Sequence, residues 1–305
     1  MKTIYSSMYY AGPNGEPREQ FKPHMEAVYG FPPIQQVCFY AKKPDGSLDL
    51  DSVRAQYLDR LPNGAMAFLD REGVDVEVFQ WIDGGLVPNP KNIQAMVDLY
   101  DAMKAMRPDI QMAYYGVVPT SYAHLQMDDT VSRYSPNNMP CWAAVETVDL
   151  ASSIIAERVD YLMPYFYFGS VVSDKSLTYD RVRLWAGSLF QRCRRYWPTK
   201  RVVPLMWPNY YDRWKKYYID VEPNIDDKAF EWTPAILNDI RVPGELFQAL
   251  VDEMDKWGLE ELAVWQEGHQ PWDPNADWLK ILLRWRGQIA MPQFRFRPSA
   301  DISWQ

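Results

Sequence analysis

The apolar positions of this chain follow two rhythms that take turns along its length. Short apolar runs rich in β-branched and aromatic residues predict strands at 3–10, 35–40, 65–72, 110–117, 159–167, 201–207 and 261–265. Longer segments with apolar residues every three or four positions predict helices at 51–61, 92–106, 147–158, 180–196, 244–257 and 277–286. In the second of these, Ile93, Met96, Val97, Tyr100 and Met103 recur at the spacing of one helical face. Pro62-Asn63-Gly64 and Arg107-Pro108-Asp109 punctuate the pattern as turns.

Strand followed by helix, repeated, is the signature of an α/β fold with a parallel sheet. The first strand is not followed by the glycine-rich turn of a dinucleotide-binding sheet. The expected architecture is therefore a TIM-type (β/α) barrel, distorted, with seven or eight strands. It would span residues 1–305 as one domain, with long active-face loops at about 118–145 and 208–240. In such a barrel the chemistry sits where the strands end, which directs attention to those ends.

The strand at 65–72 ends in AFLDREG, so alternation puts Phe68, Asp70 and Glu72 on one face and Leu69 and Arg71 on the other. Two carboxylates so close repel, and one is driven towards its protonated form, the condition for a general acid near neutral pH. A solvated strand end with one carboxylate paired to an arginine would explain the same residues. A Ca²⁺ or Mg²⁺ site with Asp75 or Glu77 is a third reading, without a recognisable ligand spacing. Tyr161, Met163, Tyr165 and Tyr167 alternate along the next strand but one, and Tyr114, within the strand between, is a further candidate substrate contact. The last strand runs LAVWQEG and delivers Trp265 and Glu267 to the rim. The segment PLMWPNYYDRWKKYY adds Trp207, Tyr210 and further rings interleaved with Arg213, Lys215 and Lys216. Such rings stack on sugars, and such cations bind substrate carboxylates or sulfates; the alternative is a solvated loop with its rings anchored in the core.

Composition supports this emphasis on rings. Trp 13, Tyr 20 and Phe 12 make up 15% of the 305 residues, which serves either a bulky core or a ring-lined groove. A net charge of −8 argues against a nucleic-acid partner, which needs a basic face. No apolar run reaches the roughly 18 residues of a membrane span. The opening MKTIYSSMYY has no apolar stretch with a cleavage site, so either a cytoplasmic chain or one already relieved of a signal is expected. Cys38, Cys141 and Cys193 are far apart and read as buried free thiols. His24, His124 and His269 stand alone, and no P-loop or GxSxG elbow is present, so neither metal nor cofactor is expected. Arg192, Arg194 and Arg195 close a helix, where the helix dipole favours cations, and read as structural.

Three segments together resemble the hyaluronidases and, more distantly, the family 18 chitinases. GAMAFLDREGVDVEVFQW resembles the hyaluronidase segment with its Asp-x-Glu, YLMPYFYFG the tyrosine-bearing strand of both groups, and GLEELAVWQEG their closing strand with its Trp. Phe166 stands where the chitinase element carries Asp. Residues 64–68 hold none of the spaced chitinase aspartates, and the paired cysteines of animal hyaluronidases are absent. The resemblance implies a glycosidase acting on a polysaccharide or oligosaccharide with N-acetylhexosamine units, in which the 2-acetamido oxygen of the substrate attacks the anomeric carbon. It implies Glu72 as general acid/base, Asp70 orienting the acetamido group, Tyr165 or Tyr167 bonding its oxygen, and Trp265 flooring the pocket. Two alternatives keep the barrel: a two-carboxylate glycosidase using Glu72 and Glu267, and a carbohydrate-binding barrel without catalysis, its Asp70 neutralised by Arg71 or another cation. A metal-dependent hydrolase is a further class.

Overall fold

The computed structural model describes residues 2–7, 25–31, 43–45, 49–69, 78–82, 85–120, 139–168, 178–210, 233–265, 273 and 275–288. Strands β1 (Thr3–Ser7), β2 (Glu26–Phe31) and β3 (Met66–Leu69) are followed by a hairpin of β4 (Phe79–Ile82) and β5 (Gly85–Pro88). Then come β6 (Gln111–Tyr114), β7 (Tyr161–Leu162), β8 (Tyr165–Phe168), β9 (Arg201–Val202), β10 (Leu205–Tyr210) and β11 (Glu261–Trp265). The helices are α1 (Leu50–Gln56), α2 (Pro90–Met106), α3 (Met139–Ala151), α4 (Ser153–Arg158), α5 (Tyr179–Tyr196), α6 (Pro234–Ile240), α7 (Gly244–Lys256) and α8 (Asp277–Trp285).

The main sheet is parallel, in the order β6-β3-β2-β1-β11-β10-β8, so the fold is α/β as expected. Strand β7 pairs with β9 in a short parallel ladder. Pro164 separates β7 from β8 and Pro204 separates β9 from β10. Each proline lacks an N–H to donate, yet its carbonyl still accepts, from Leu205 N–H and Ala263 N–H at 2.8 Å each. The edge strand β6 meets the β7–β8 segment through Asp160 N–H to Met112 O at 3.0 Å, Gly116 N–H to Met163 O at 2.7 Å and one isolated parallel bridge, Tyr115–Met163. This pairing is sparse, and among the described residues no continuous ladder joins the two ends of the sheet.

The two faces of the sheet carry separate cores. The inner face collects Tyr5, Val28, Met66, Phe68, Ala113, Tyr115, Tyr161, Met163, Val203, Leu205 and Ala263, with Tyr165 and Trp265 packed against them. Ile4, Ala67, Leu69, Met112, Tyr114, Leu162, Phe166, Met206, Leu262 and Val264 belong to the core shared with the helices. The split follows from the two-residue period of strands. A single inner cluster fed by both edges of the sheet means that the sheet is curled.

The helices begin and pack as their sequences dictate. Asn89 caps α2 by accepting from Asn92 N–H at 3.3 Å, with Pro90 in the first turn, and Thr178 caps α5 by accepting from Arg181 N–H at 3.3 Å. Ile93, Met96, Val97, Tyr100 and Met103 form the buried face of α2. Burial of a large aliphatic or aromatic side chain of this kind contributes about 1.5–3 kcal/mol. Cys193 is a buried free thiol on the inner face of α5.

Several expectations are revised. The second strand is Glu26–Phe31, where register with Tyr5, Ser6 and Ser7 of β1 selects it; residues 35–40 lie outside the described residues. The β4–β5 hairpin and α6 were not anticipated. Helix α3 begins at Met139 and α4 follows after Ser152, so the expected loop at 118–145 ends in helix, and that at 208–240 opens on β10 and closes on α6.

Candidate active site

The inner face changes character along its length. At the amino ends of the strands it is charged. Arg201 at the start of β9 donates from Nε to Glu261 Oε2 and from Nη2 to Glu261 Oε1, both at 2.5 Å. It also donates to Tyr5 Oη at 3.0 Å and reaches the side chain of Gln111. Its guanidinium stands 5.5 Å from the ring centroid of Tyr161, whose hydroxyl donates to Ala67 O. Tyr5 O–H donates to Glu261 Oε1 at 3.0 Å, and burial, followed by the Glu261 carboxylate, pushes the phenol up to about 12. These groups satisfy one another and close this end.

At the carboxyl ends the inner face is aromatic. Phe68 of β3 packs edge-on to Tyr115 with centroids 5.9 Å apart and tilted against Trp265 of β11 at 5.9 Å. Tyr115 in turn meets Tyr165 of β8 at 5.6 Å and 65°. Phe68 and Tyr115 are buried, whereas Tyr165 and Trp265 are half-buried and form the accessible margin of the set. Trp207 of β10 is buried and shares the alternation of the inward Leu205. Edge-to-face packing holds such rings at defined angles, each pair contributing about 0.5–1.5 kcal/mol beyond area burial.

The turn after β6 is anchored from outside the sheet. Gly116, at φ +66°, opens a turn that runs to the buried Thr120. Thr120 N–H donates to Asp149 Oδ1 at 2.8 Å, and Thr120 O accepts from Arg192 Nη2 at 2.9 Å. Arg192 Nη1 completes the triangle at 2.6 Å from Asp149 Oδ2. Burial pushes the Asp149 carboxyl up, and the Arg192 guanidinium and Thr120 N–H oppose that push.

The structure therefore brings Tyr165 and Trp265 into one ring set, and buries Trp207 on β10. Tyr114 goes elsewhere: its ring lies in the core shared with the helices, and its hydroxyl donates to Met96 O at 2.7 Å. The inward residue of that strand end is Tyr115. The phase of β6, with Ala113 inward, dictates this. Tyr167 and Tyr210 have only their backbone among the described residues. Asp70, Glu72, Arg213 and Glu267 lie outside them, as do Asp75, Glu77, Lys215 and Lys216. Asp70 is the residue next in sequence after Leu69, the last of β3. Among the described residues no cluster of three His, Cys, Asp or Glu could hold a metal ion, and no helix is long and apolar enough to cross a membrane.

Solved glycoside hydrolase structures resemble this backbone. Bee venom hyaluronidase matches 86% of this chain and 67% of its own, with 16% identity and a TM-score of 0.42. An endo-1,4-β-D-mannanase of Thermotoga petrophila matches 89% of this chain and 78% of its own, at 11% identity and a TM-score of 0.44. A chitinase of Chromobacterium violaceum matches 95% and 100%, at 8% identity and a TM-score of 0.43. No protein-family model and no curated protein sequence matches the chain.

Proposed function

We propose that this chain is a glycosidase that cleaves a glycan containing N-acetylhexosamine units, with its centre at the carboxyl ends of a single (β/α) barrel spanning residues 1–305. The observation that carries the reading is the ring set Phe68–Tyr115–Tyr165–Trp265, which joins the carboxyl ends of β3, β6 and β11 to the first residue of β8, with Asp70 the next residue after β3 and Glu72 two further on. Flat apolar faces with a phenol at the margin suit a pyranose ring, and a carboxyl beside an apolar set stays protonated more readily than one in water.

In this proposal Glu72 donates its proton to the glycosidic oxygen as the bond to the anomeric carbon breaks. The acetamido oxygen of the same sugar supplies the electron pair that replaces it, closing a ring on that carbon with retention to follow. Asp70 orients the acetamido N–H and offsets its developing positive charge, and the Tyr165 hydroxyl donates to the acetamido oxygen. Glu72, now a carboxylate, takes a proton from the water that reopens the ring. Trp265 stacks on the sugar, the buried Trp207 supports the wall behind it, and Tyr167, Tyr210, Arg213 and Glu267 contact the remainder of the glycan.

The test is a screen of acetamido-bearing polysaccharides, hyaluronan and chitin among them, with the Glu72→Gln protein as control. Cleavage by the parent and its loss in Glu72→Gln by on the order of 100-fold or more supports the reading. Undiminished cleavage by Glu72→Gln overturns it, as does the absence of turnover by the parent.

A further inference from the structure

Gly116 and Tyr165 compete for one volume. A Cβ built on Gly116 would stand 2.1 Å from Cδ1 and 2.4 Å from Cε1 of Tyr165, far inside any real carbon–carbon contact. The atoms met are the flank of the ring, which moves only if the whole ring turns. The opposite constraint comes from Tyr115, whose ring meets Tyr165 at 65°. Gly116 is itself held on both sides. Its N–H donates to Met163 O, two residues before Tyr165 in the strand. Its turn ends at Thr120, tied by both N–H and C=O to the buried Asp149–Arg192 pair.

We infer that Gly116 is a positioning residue for Tyr165: its bare backbone seats the phenol ring at the margin of the ring set, and the Asp149–Arg192 pair holds the seat in place. The role of Tyr165 in catalysis rests on the glycosidase reading above; the seating of the ring does not. Gly116 never needs to touch substrate. A side chain at position 116 turns the phenol away and displaces its hydroxyl from the acetamido oxygen it would serve.

Glycine at a positive φ has a simpler explanation, since the turn alone favours it. Asparagine separates the two, because it tolerates the left-handed region but brings the Cβ that meets the ring. The experiment uses the full chain carrying Gly116→Asn or Gly116→Ala, each alone and combined with Tyr165→Ala. Far-ultraviolet circular dichroism verifies folding. Near-ultraviolet circular dichroism reads the aromatic set, and kcat and KM are measured on an N-acetylhexosamine polysaccharide cleaved by the parent.

Seating predicts that Gly116→Asn alters the near-ultraviolet spectrum and lowers kcat on the order of 10- to 100-fold, with a smaller change in KM. It further predicts that Gly116→Asn costs nothing more once Tyr165→Ala has removed the ring. If Gly116→Ala does not fold, the Gly116→Asn pair carries the comparison. A Gly116→Asn protein with parental spectrum and kcat, or losses that add fully in the double variant, overturns the inference. If the parent cleaves no glycan, the glycosidase reading fails by itself. Seating is then decided by unfolding free energies: Gly116→Asn must destabilise the parent more than it does the Tyr165→Ala background, and equal destabilisation overturns it.

Discussion

Arg192 and Asp149 are 43 positions apart in the chain and 2.6 Å apart in space, on α5 and α3, with both side chains buried. Their pairing converts two helices of the outer layer into a clamp on the turn that follows β6. Thr120 is the object clamped, through its own N–H and C=O.

Removing one member of this pair leaves the other charge buried and uncompensated. Asp149→Asn and Arg192→Met should each lower stability by about 3–5 kcal/mol, and the double replacement Asp149→Leu/Arg192→Met should lose less than either single change. Urea unfolding of the three proteins measures this. Equal or greater loss in the double variant would show that the buried charge is not the source of the cost.

Tyr5 makes the alkaline limb of stability legible. Its folded phenol is raised to about 12 by burial and by Glu261, above the unfolded value near 10. A raised value means that the folded state holds its proton more tightly than the unfolded chain does. The contribution is complete below about pH 10 and is lost as pH rises through about 12. Tyr5→Phe should therefore show a flatter decline in thermal midpoint across that window. A parallel decline in both proteins would remove Tyr5 as the cause.

Burial raises the Cys193 thiol to about 12, so it carries almost no thiolate at mild pH. Iodoacetamide should leave the Cys193 peptide unmodified in the native chain and label it fully in urea, as read by peptide mass spectrometry. Rapid native labelling would show that α5 opens locally.

The amino-acid sequence by itself determined the elements whose signal is local. A period of 3.6 marked α2, α5, α7 and α8 to within two residues at each end, and β11 coincides with its expected bounds. Period 2 placed Tyr161, Met163 and Tyr165 on one face, which the inner core bears out. Local pattern did not single out Glu26–Phe31, which pairing with β1 and β3 makes a strand. Nor could it show that Arg192 turns inward to a carboxylate 43 residues away, or that Arg201 finds Glu261 at a separation of 60. Backbone geometry writes periodicity into neighbouring positions, so a sequence displays it. Ion pairs, ring sets and the seat of Tyr165 on Gly116 join residues whose distance along the chain is arbitrary, and only the curling of the sheet and the packing of its helices bring them together.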